Sequence, residues 1–174
     1  MKRILKTEAF ILRKRSLPNE DKIITLFTKE IGKVQVFAKG IKKITSKRLP
    51  HVQTSNFIHA VLYRKNDHLY LQDTSLISGF QEIKKDPEKV ELLYAYLFIL
   101  DRLLPEHQNE HLVYLEIKKF LVELSKLSSS DRRFLEKYMN KTLMLLGYTD
   151  EKKEFEELRR IIEDLIGERM PHVS

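Results

Sequence analysis

The chain contains 174 residues, carries a formal net charge of +7 and has no cysteine. This length fits one ordinary domain or two small ones, and a hydrophobic fraction of 42% is sufficient to build a core. The missing cysteines exclude disulfide bonds, thiolate zinc sites and a cysteine nucleophile within this sequence.

Positive charge is concentrated in the first half of the chain. Residues 1–80 contain 16 Lys and Arg against 6 Asp and Glu, a net charge of +10, whereas residues 81–174 contain 16 against 19, a net charge of −3. This asymmetry indicates that the first half binds a polyanion. Its cations are interleaved with strand-like sequence and not placed on an amphipathic helix, which favours nucleic acid over a membrane surface.

The sequence also predicts a location. Lys6 and Glu8 interrupt the apolar residues of the first ten positions, which is unlike a signal peptide. No segment reaches the roughly 18 apolar residues that a membrane helix needs. We therefore expect a soluble, cytoplasmic protein that does not associate with a membrane.

The sequence pattern of residues 1–80 predicts a barrel of five strands. β-Branched, aromatic and alternating sequence marks the strands Glu8–Leu12, Lys22–Thr28, Val34–Ala38, Gln53–Arg64 and His68–Gln72, the last extended or followed by Thr74–Phe80. The second and third strands form a hairpin that bends at Gly32. Five short strands with a long loop between the third and fourth indicate a small closed or nearly closed β-barrel.

The pattern changes to helices after Phe80. Asp86-Pro87-Glu88 has an acidic cap followed by proline in the first turn, and Val90–Leu104 is apolar almost all round, which predicts a buried helix. A second helix begins at Asn109. A third is capped by Asp131 and stopped by Gly147.

The last predicted helix, Asp150–Ile166, is amphipathic. Its apolar residues recur at heptad-like spacing with charges between them. It either packs on the other helices or binds a partner, and we favour packing, because single amphipathic helices in small proteins usually bury their apolar side within the same chain.

The densest run of cations, Lys39–Arg48, follows the third strand at Gly40 and contains no acid. We expect this loop to contribute nothing to a core. A solvated surface loop is the alternative, but its place in the basic half favours phosphate binding. The cations at the end of the first strand extend the predicted groove. The predicted nucleic-acid-binding residues are Arg13, Lys14, Arg15, Lys39, Lys42, Lys43, Lys47 and Arg48.

Four aromatic residues of the barrel are candidates for stacking on bases. Phe37 and Phe57 are interpreted as core. Tyr63 and Tyr70 lie near a turn, and the sequence leaves them open between stacking and a structural role.

No catalytic pattern is evident. His107 and His111 have the i, i+4 spacing of zinc ligands on a helix, but they flank a helix start and lack a third ligand. The acidic pairs Glu20-Asp21 and Glu156-Glu157 lack partners at nuclease-like spacing, and there is no glycine-rich phosphate loop. We expect no enzyme activity, no metal and no cofactor.

Several strings occur in a fixed order along most of residues 1–148. They are Glu8–Arg13, Asn19–Thr28, Gly32-Lys33 leading to Ala38–Gly40, Leu97–Pro105 and Leu145–Tyr148. This ordered set resembles the RecO family of bacterial recombination mediators and DNA repair proteins. The resemblance implies an α+β protein with an N-terminal five-stranded OB-fold barrel, residues 1–80, and an all-α helical domain, residues 81–174.

The resemblance also implies a function. RecO proteins bind single- and double-stranded DNA, anneal complementary strands, and assist RecA loading together with RecR and the C-terminal tail of single-stranded-DNA-binding protein. The basic residues of the family around the third strand correspond to Lys39, Lys42, Lys43, Lys47 and Arg48. Many members carry a four-cysteine zinc module after the Leu-Gly-Tyr string, where this chain has a charged helix instead.

The helical half offers cations for the acidic tail peptide. The candidates are Lys118, Lys119, Arg132 and Arg133. A protein-interaction adaptor with little DNA binding is the alternative function, and a metal-dependent nuclease is a third. The sequence leaves open the oligomeric state, the preferred form of DNA, the exact peptide groove and the stoichiometry with RecR.

Overall fold

The computed structural model describes residues 4–43, 45–129 and 131–173. The chain forms two compact units. The first comprises residues 4–79, apart from residue 44, together with Pro105–Asn109. The second comprises Phe80–Leu104 and the described residues from Glu110 onward.

Five strands close the first unit into a barrel. They are β1 (Ile4–Ser16), β2 (Lys22–Thr28), β3 (Gly32–Ala38), β4 (Phe57–Lys65) and β5 (His68–Ser78). Their order around the barrel is β1-β2-β3-β5-β4, with β4 returning to β1. All neighbours are antiparallel except β3 and β5, which are parallel. The predicted five-stranded barrel is confirmed.

The strands differ from the prediction at their ends. β1 runs on to Ser16 because its first half pairs with β4 and its second half with β2, with a bulge between Ile11 and Arg13. β4 begins at Phe57 instead of Gln53, since the chain turns at Ser55, where φ is 72°. The two predicted segments after His68 form one strand.

The interior of the barrel is filled by alternate residues of every strand. The long connection from β3 to β4 adds Ile41 and Val52, both fully buried, and Leu49 packs beside them. The expectation that this loop contributes nothing to a core is therefore wrong. Its two apolar ends hold it against the barrel although its middle is basic.

A tight turn joins β2 to β3 and receives the segment Pro105–Asn109. The Thr28 hydroxyl accepts the N–H of Ile31 at 3.1 Å and donates to the carbonyl of Gly32 at 2.9 Å. Gly32 has φ 72°, and a Cβ built there would lie 1.8 Å from the carbonyl oxygen of Gln108. The N–H of His107 donates to the carbonyl of Lys33 at 2.8 Å. Only glycine fits this approach.

The second unit contains helices α1 (Gln81–Lys84), α2 (Pro87–Leu103), α3 (His111–Lys126), α4 (Arg132–Leu145) and α5 (Phe155–Ile166). The predicted caps are present, because the carboxylate of Asp86 accepts the N–H groups of Glu88 and Lys89, and that of Asp131 caps α4. None of the helices described is long and apolar enough to cross a membrane.

The helices pack around a buried aromatic cluster. Tyr96 of α2 lies against Phe120 of α3, with ring centroids 4.3 Å apart, and its hydroxyl hydrogen-bonds the Thr142 hydroxyl of α4 at 2.9 Å. Burial raises the pKa of Tyr96, so that the phenol stays neutral. The apolar sequence of α2 correctly predicts a buried helix.

Helix α5 packs within its own unit. Phe155, Leu158 and Ile162 are buried, and the helix contacts α2 and α4, which confirms the interpretation we favoured. It begins five residues later than predicted. The reason is Asn140, whose side chain accepts the N–H of Lys153 at 2.8 Å and donates to its carbonyl at 2.9 Å. These bonds hold the residues before Phe155 in a non-helical form.

Gly32→Ala should destabilise the barrel by at least about 3 kcal/mol, because strain at positive φ adds to an overlap that only main-chain movement relieves. Gly40→Ala is the matched control. Gly40 also has positive φ, but a Cβ there meets only the Lys43 side chain, at 3.5 Å. We expect a loss of about 1–2 kcal/mol for this control. Urea unfolding followed by circular dichroism measures both, and equal losses would contradict the close approach to Gln108.

Candidate nucleic-acid interface

The predicted DNA-binding cations gather at one end of the barrel. At this end β1 and β3 finish and β2 begins, since Ser16 pairs with Lys22 and Lys22 pairs with Ala38. Lys39 follows Ala38 directly, and Arg15 lies one residue before Ser16. The register therefore brings Arg15, the last cation of β1, to the barrel end at which the long loop begins.

The start of the loop is fastened to the turn between β1 and β2. The N–H of Gly40 donates to the Asp21 carboxylate at 2.7 Å. Lys42 donates its N–H to the carbonyl of Glu20 at 3.0 Å and its ammonium to the carbonyl of Leu17 at 2.8 Å. These three bonds place the first lysines of the loop next to the end of β1.

Arg48 fastens the other end of the loop. Its guanidinium donates to the carbonyls of Lys39 and Leu71, each at 2.6 Å. It thus ties the loop to its own beginning and to β5. Lys42 and Arg48 give hydrogen bonds to the main chain, whereas Lys39, Lys43 and Lys47 have exposed side chains that extend from the anchored loop.

The three cations of β1 do not share one environment. Arg13 and Arg15 pair with outward-facing residues of β2 and are exposed, whereas Lys14 pairs with inward-facing Ile24. The ammonium of Lys14 donates to the Gln53 side chain. Burial, with a smaller contribution from Lys22, lowers the pKa of Lys14. The alternation of the strand therefore directs two of the three predicted cations to the outer surface.

The aromatic candidates separate into two groups. Phe57 is buried and stacks on Phe10 at 4.4 Å, but it points away from the barrel interior, so the prediction of barrel core is right about its burial and wrong about its position. Phe37 is half-buried on the outer surface, so the prediction that it belongs to the core is wrong. It lies 5.7 Å from Tyr70, which stacks on Tyr63 at 5.0 Å.

The candidates for peptide binding occupy two helices. Lys118 and Lys119 are exposed on α3, while Arg132 and Arg133 form the first turn of α4. Lys119 lies 3.9 Å from Glu123. The guanidinium of Arg132 lies 3.5 Å from Glu156 and over the ring of Phe155, at 5.6 Å. Lys119 and Arg132 are thus next to different acids.

His107 and His111 do not lie together on one helix, as the i, i+4 arrangement of zinc ligands would require. His107 lies in the segment before α3, with φ 57°, and His111 is the first residue of α3. In residues 4–43, 45–129 and 131–173, no group of three or more His, Cys, Asp or Glu side chains is arranged to hold a metal ion.

Comparison with known proteins agrees with the fold. Residues 1–80 match the family model described as Recombination protein O N terminal. The chain is 32% identical to the DNA repair protein RecO of Caldanaerobacter subterraneus subsp. tengcongensis, over 84% of this chain and 59% of that protein. The protein belongs to the RecO family. Its barrel is the OB-fold of that family, as predicted.

Two further relatives are also named DNA repair protein RecO. The DNA repair protein RecO of Thermoanaerobacter sp. is 31% identical over 84% of this chain and 59% of its own length. That of Clostridium novyi is 36% identical over 67% of this chain and 46% of its own. This RecO family chain therefore spans about half the length of the relatives it matches, between 46% and 59%.

Sequence reasoning missed the anchoring role of Arg48. Its acceptors are main-chain carbonyls on β5 and directly after β3, and no side-chain pattern in the sequence marks a carbonyl as an acceptor. A weak signal existed in the loop, since Ile41 and Leu49 are apolar residues at its two ends. They indicate contact with the core.

Arg48→Met should lower the free energy of unfolding by about 2 kcal/mol, because two main-chain carbonyls lose charge-assisted hydrogen bonds. Lys47→Met removes a neighbouring, exposed charge and should leave stability within about 0.5 kcal/mol. Urea unfolding tests both, and hydrogen exchange should show faster exchange of the loop amides in Arg48→Met alone. Equal stability of the two variants would show that Arg48 is not an anchor.

Proposed function

We propose that this protein acts in DNA repair and recombination by binding DNA through the cation-rich end of its OB-fold barrel. The observation that supports this function best is the anchored loop, which carries the exposed side chains of Lys39, Lys43 and Lys47 at the barrel end where Arg15 also lies. Relatives named DNA repair protein RecO support the same conclusion.

The proposed mechanism is charge neutralisation. A cation that contacts a phosphate releases condensed counterions, and this release drives binding without reading the sequence. Two complementary strands that are partly neutralised on one surface repel each other less. Annealing then follows from base pairing and needs neither catalysis nor a cofactor.

The proposed partners extend the function from DNA binding to the mediation of recombination. In this proposal the protein binds single- and double-stranded DNA, cooperates with RecR, and assists RecA loading on DNA coated by single-stranded-DNA-binding protein. The helical unit would hold the acidic tail of that binding protein through Lys118, Lys119, Arg132 and Arg133, because charge-assisted hydrogen bonds to carboxylates suit exposed lysines and arginines.

A protein-interaction adaptor with little DNA binding is the second candidate function. The hydrogen bonds of Lys42 and Arg48 favour it, since they occupy donors that would otherwise be available to phosphate. The two functions differ in a measurable way. An adaptor would bind DNA weakly or not at all, and it would lack the steep loss of DNA affinity with rising salt that phosphate contacts cause.

Lys39→Glu/Lys43→Glu/Lys47→Glu should reduce affinity for single-stranded DNA by at least about tenfold at low salt, because three phosphate contacts become repulsive. The plot of log affinity against log salt should become shallower by about 2, since each contact contributes about 0.7 for single strands. Fluorescence anisotropy at several salt concentrations measures both quantities. These three positions are chosen because Lys42 and Arg48 also anchor the loop.

Lys141→Glu/Lys152→Glu/Arg160→Glu is the matched control. These side chains are exposed on the helical unit, and both triple variants lower the formal net charge by six, from +7 to +1. The control should bind DNA within about twofold of the unmodified protein. Equal losses in the two variants would mean that only net charge matters, and the proposed site would be wrong.

Lys118→Ala/Lys119→Ala and Arg132→Ala/Arg133→Ala should each weaken binding of the acidic tail peptide by about tenfold, because alanine removes attraction without adding repulsion. Lys141→Ala/Lys152→Ala is the control with the same loss of charge. Isothermal titration with the peptide measures the affinities. Absence of binding to the unmodified protein would refute this part of the proposal.

A further inference from the structure

Six outward-facing side chains form one continuous row across the barrel. Five register pairs connect them in turn: Arg15–Ile23, Ile23–Phe37, Phe37–Tyr70, Tyr70–Tyr63 and Tyr63–Ile4. Residues directly opposite each other on neighbouring strands point to the same face of a sheet. Because the adjacent residues of these strands line the interior, the row lies on the outside.

The centre of the row is a group of three aromatic rings. Tyr70 stacks on Tyr63 with centroids 5.0 Å apart and planes 17° apart, and Phe37 follows at 5.7 Å and 34°. All three side chains are half-buried, so part of each ring meets solvent. Ile4, at the end of the row, is 52% exposed.

A second aromatic group on the outer surface of the same barrel provides an internal comparison. Phe10, Phe27 and Phe57 also point away from the interior, yet they are only 0%, 0% and 4% exposed. That group has the burial of a structural cluster. The row through Tyr70 has the same kind of residues but remains open to solvent, as expected of a binding surface.

Cations flank the exposed rings. The ammonium of Lys39 lies over the ring of Tyr70, 5.0 Å from its centroid. Lys65 lies two residues beyond Tyr63 on the same face of β4, and with Arg64 it lines a cleft of about 650 Å³ that includes Tyr63 and Ile4. Arg15 starts the row, which therefore runs into the cation-rich end of the barrel.

We infer that the Phe37–Tyr70–Tyr63 row is a stacking site for unpaired bases and gives the barrel a preference for single-stranded DNA. Rings with neighbouring cations suit single strands, because every base has a π-face to stack while the cations hold the phosphates. Duplex DNA keeps those faces stacked inside the helix. The inference rests on the proposed DNA-binding function and adds the form of DNA to it.

Tyr63→Leu/Tyr70→Leu tests the inference, because leucine keeps apolar bulk but removes the π-surface. The probes are a 20-nucleotide oligo(dT) strand and a 20-base-pair duplex, compared by fluorescence anisotropy at one salt concentration. The unmodified protein should bind the strand more tightly than the duplex. The leucine variant should lose about tenfold or more in affinity for the strand and almost none for the duplex.

Tyr63→Phe/Tyr70→Phe is the matched control, and it should retain single-strand affinity because the rings remain. Urea unfolding establishes that both variants are folded. A strand carrying 2-aminopurine provides a second measurement, since stacking on a ring quenches its fluorescence in the unmodified protein and in the phenylalanine variant only.

The outcomes separate this inference from the proposed function. Unchanged single-strand affinity in the leucine variant, with normal DNA binding otherwise, would overturn the stacking site. Failure of the unmodified protein to bind either probe would overturn the DNA-binding function itself. Equal losses for strand and duplex would also overturn the inference, because stacking acts on unpaired bases alone.

Discussion

Closure of the barrel depends on the short parallel pairing of β3 with β5, through Val36–Leu69 and Phe37–Tyr70. The first pair joins the hydrophobic interior, while the second begins the exposed aromatic row. Parallel neighbours cannot be joined by a tight turn, so the chain needs a long crossover between them. The same pairing therefore contributes to the core, forms the centre of the outer row and requires the chain to cross over after β3.

The basic loop resolves a conflict between charge and order. Its cations repel each other and favour an open, solvated segment, whereas binding to a regular phosphate backbone benefits from cations that are already positioned. Two apolar ends and the hydrogen bonds of Lys42 and Arg48 hold the loop in place. The cost is that these two cations have fewer donors to offer. Positioning and binding are thus divided among different residues of one segment.

The sequence predicts those features of the fold that depend on neighbours along the chain. The acidic caps at Asp86 and Asp131 and the hairpin at Gly32 involve residues within a few positions of each other. The start of α5 could not be predicted, because Asn140 and Lys153 meet only after α4 has folded against the following segment. Tertiary hydrogen bonds of this kind override local helix preference.

In the candidate site, too, the features set by neighbours along the chain could be predicted, and those set by tertiary structure could not. The run of cations was evident, and so was its position after a strand. The location of Phe37 was available in principle, since alternation places Val36 and Ala38 on the inner face and therefore Phe37 on the other. The alignment of Phe37 with Tyr70 and Tyr63 was not available, because it depends on the register between β3, β5 and β4. A one-residue shift would have turned these rings inward.

The segment Pro105–Asn109 belongs to the barrel unit although it lies between α2 and α3 in the chain. Lys33 and Glu106 pair through their main chains in an isolated parallel β-bridge. The side-chain amide of Gln35 also donates to the Glu106 carboxylate at 3.0 Å. The polypeptide consequently passes between the units three times. A fragment cut after residue 80 would omit this returning piece and leave the β2–β3 turn without its lining. Neither unit can be excised, permuted or exchanged as a single uninterrupted length of chain.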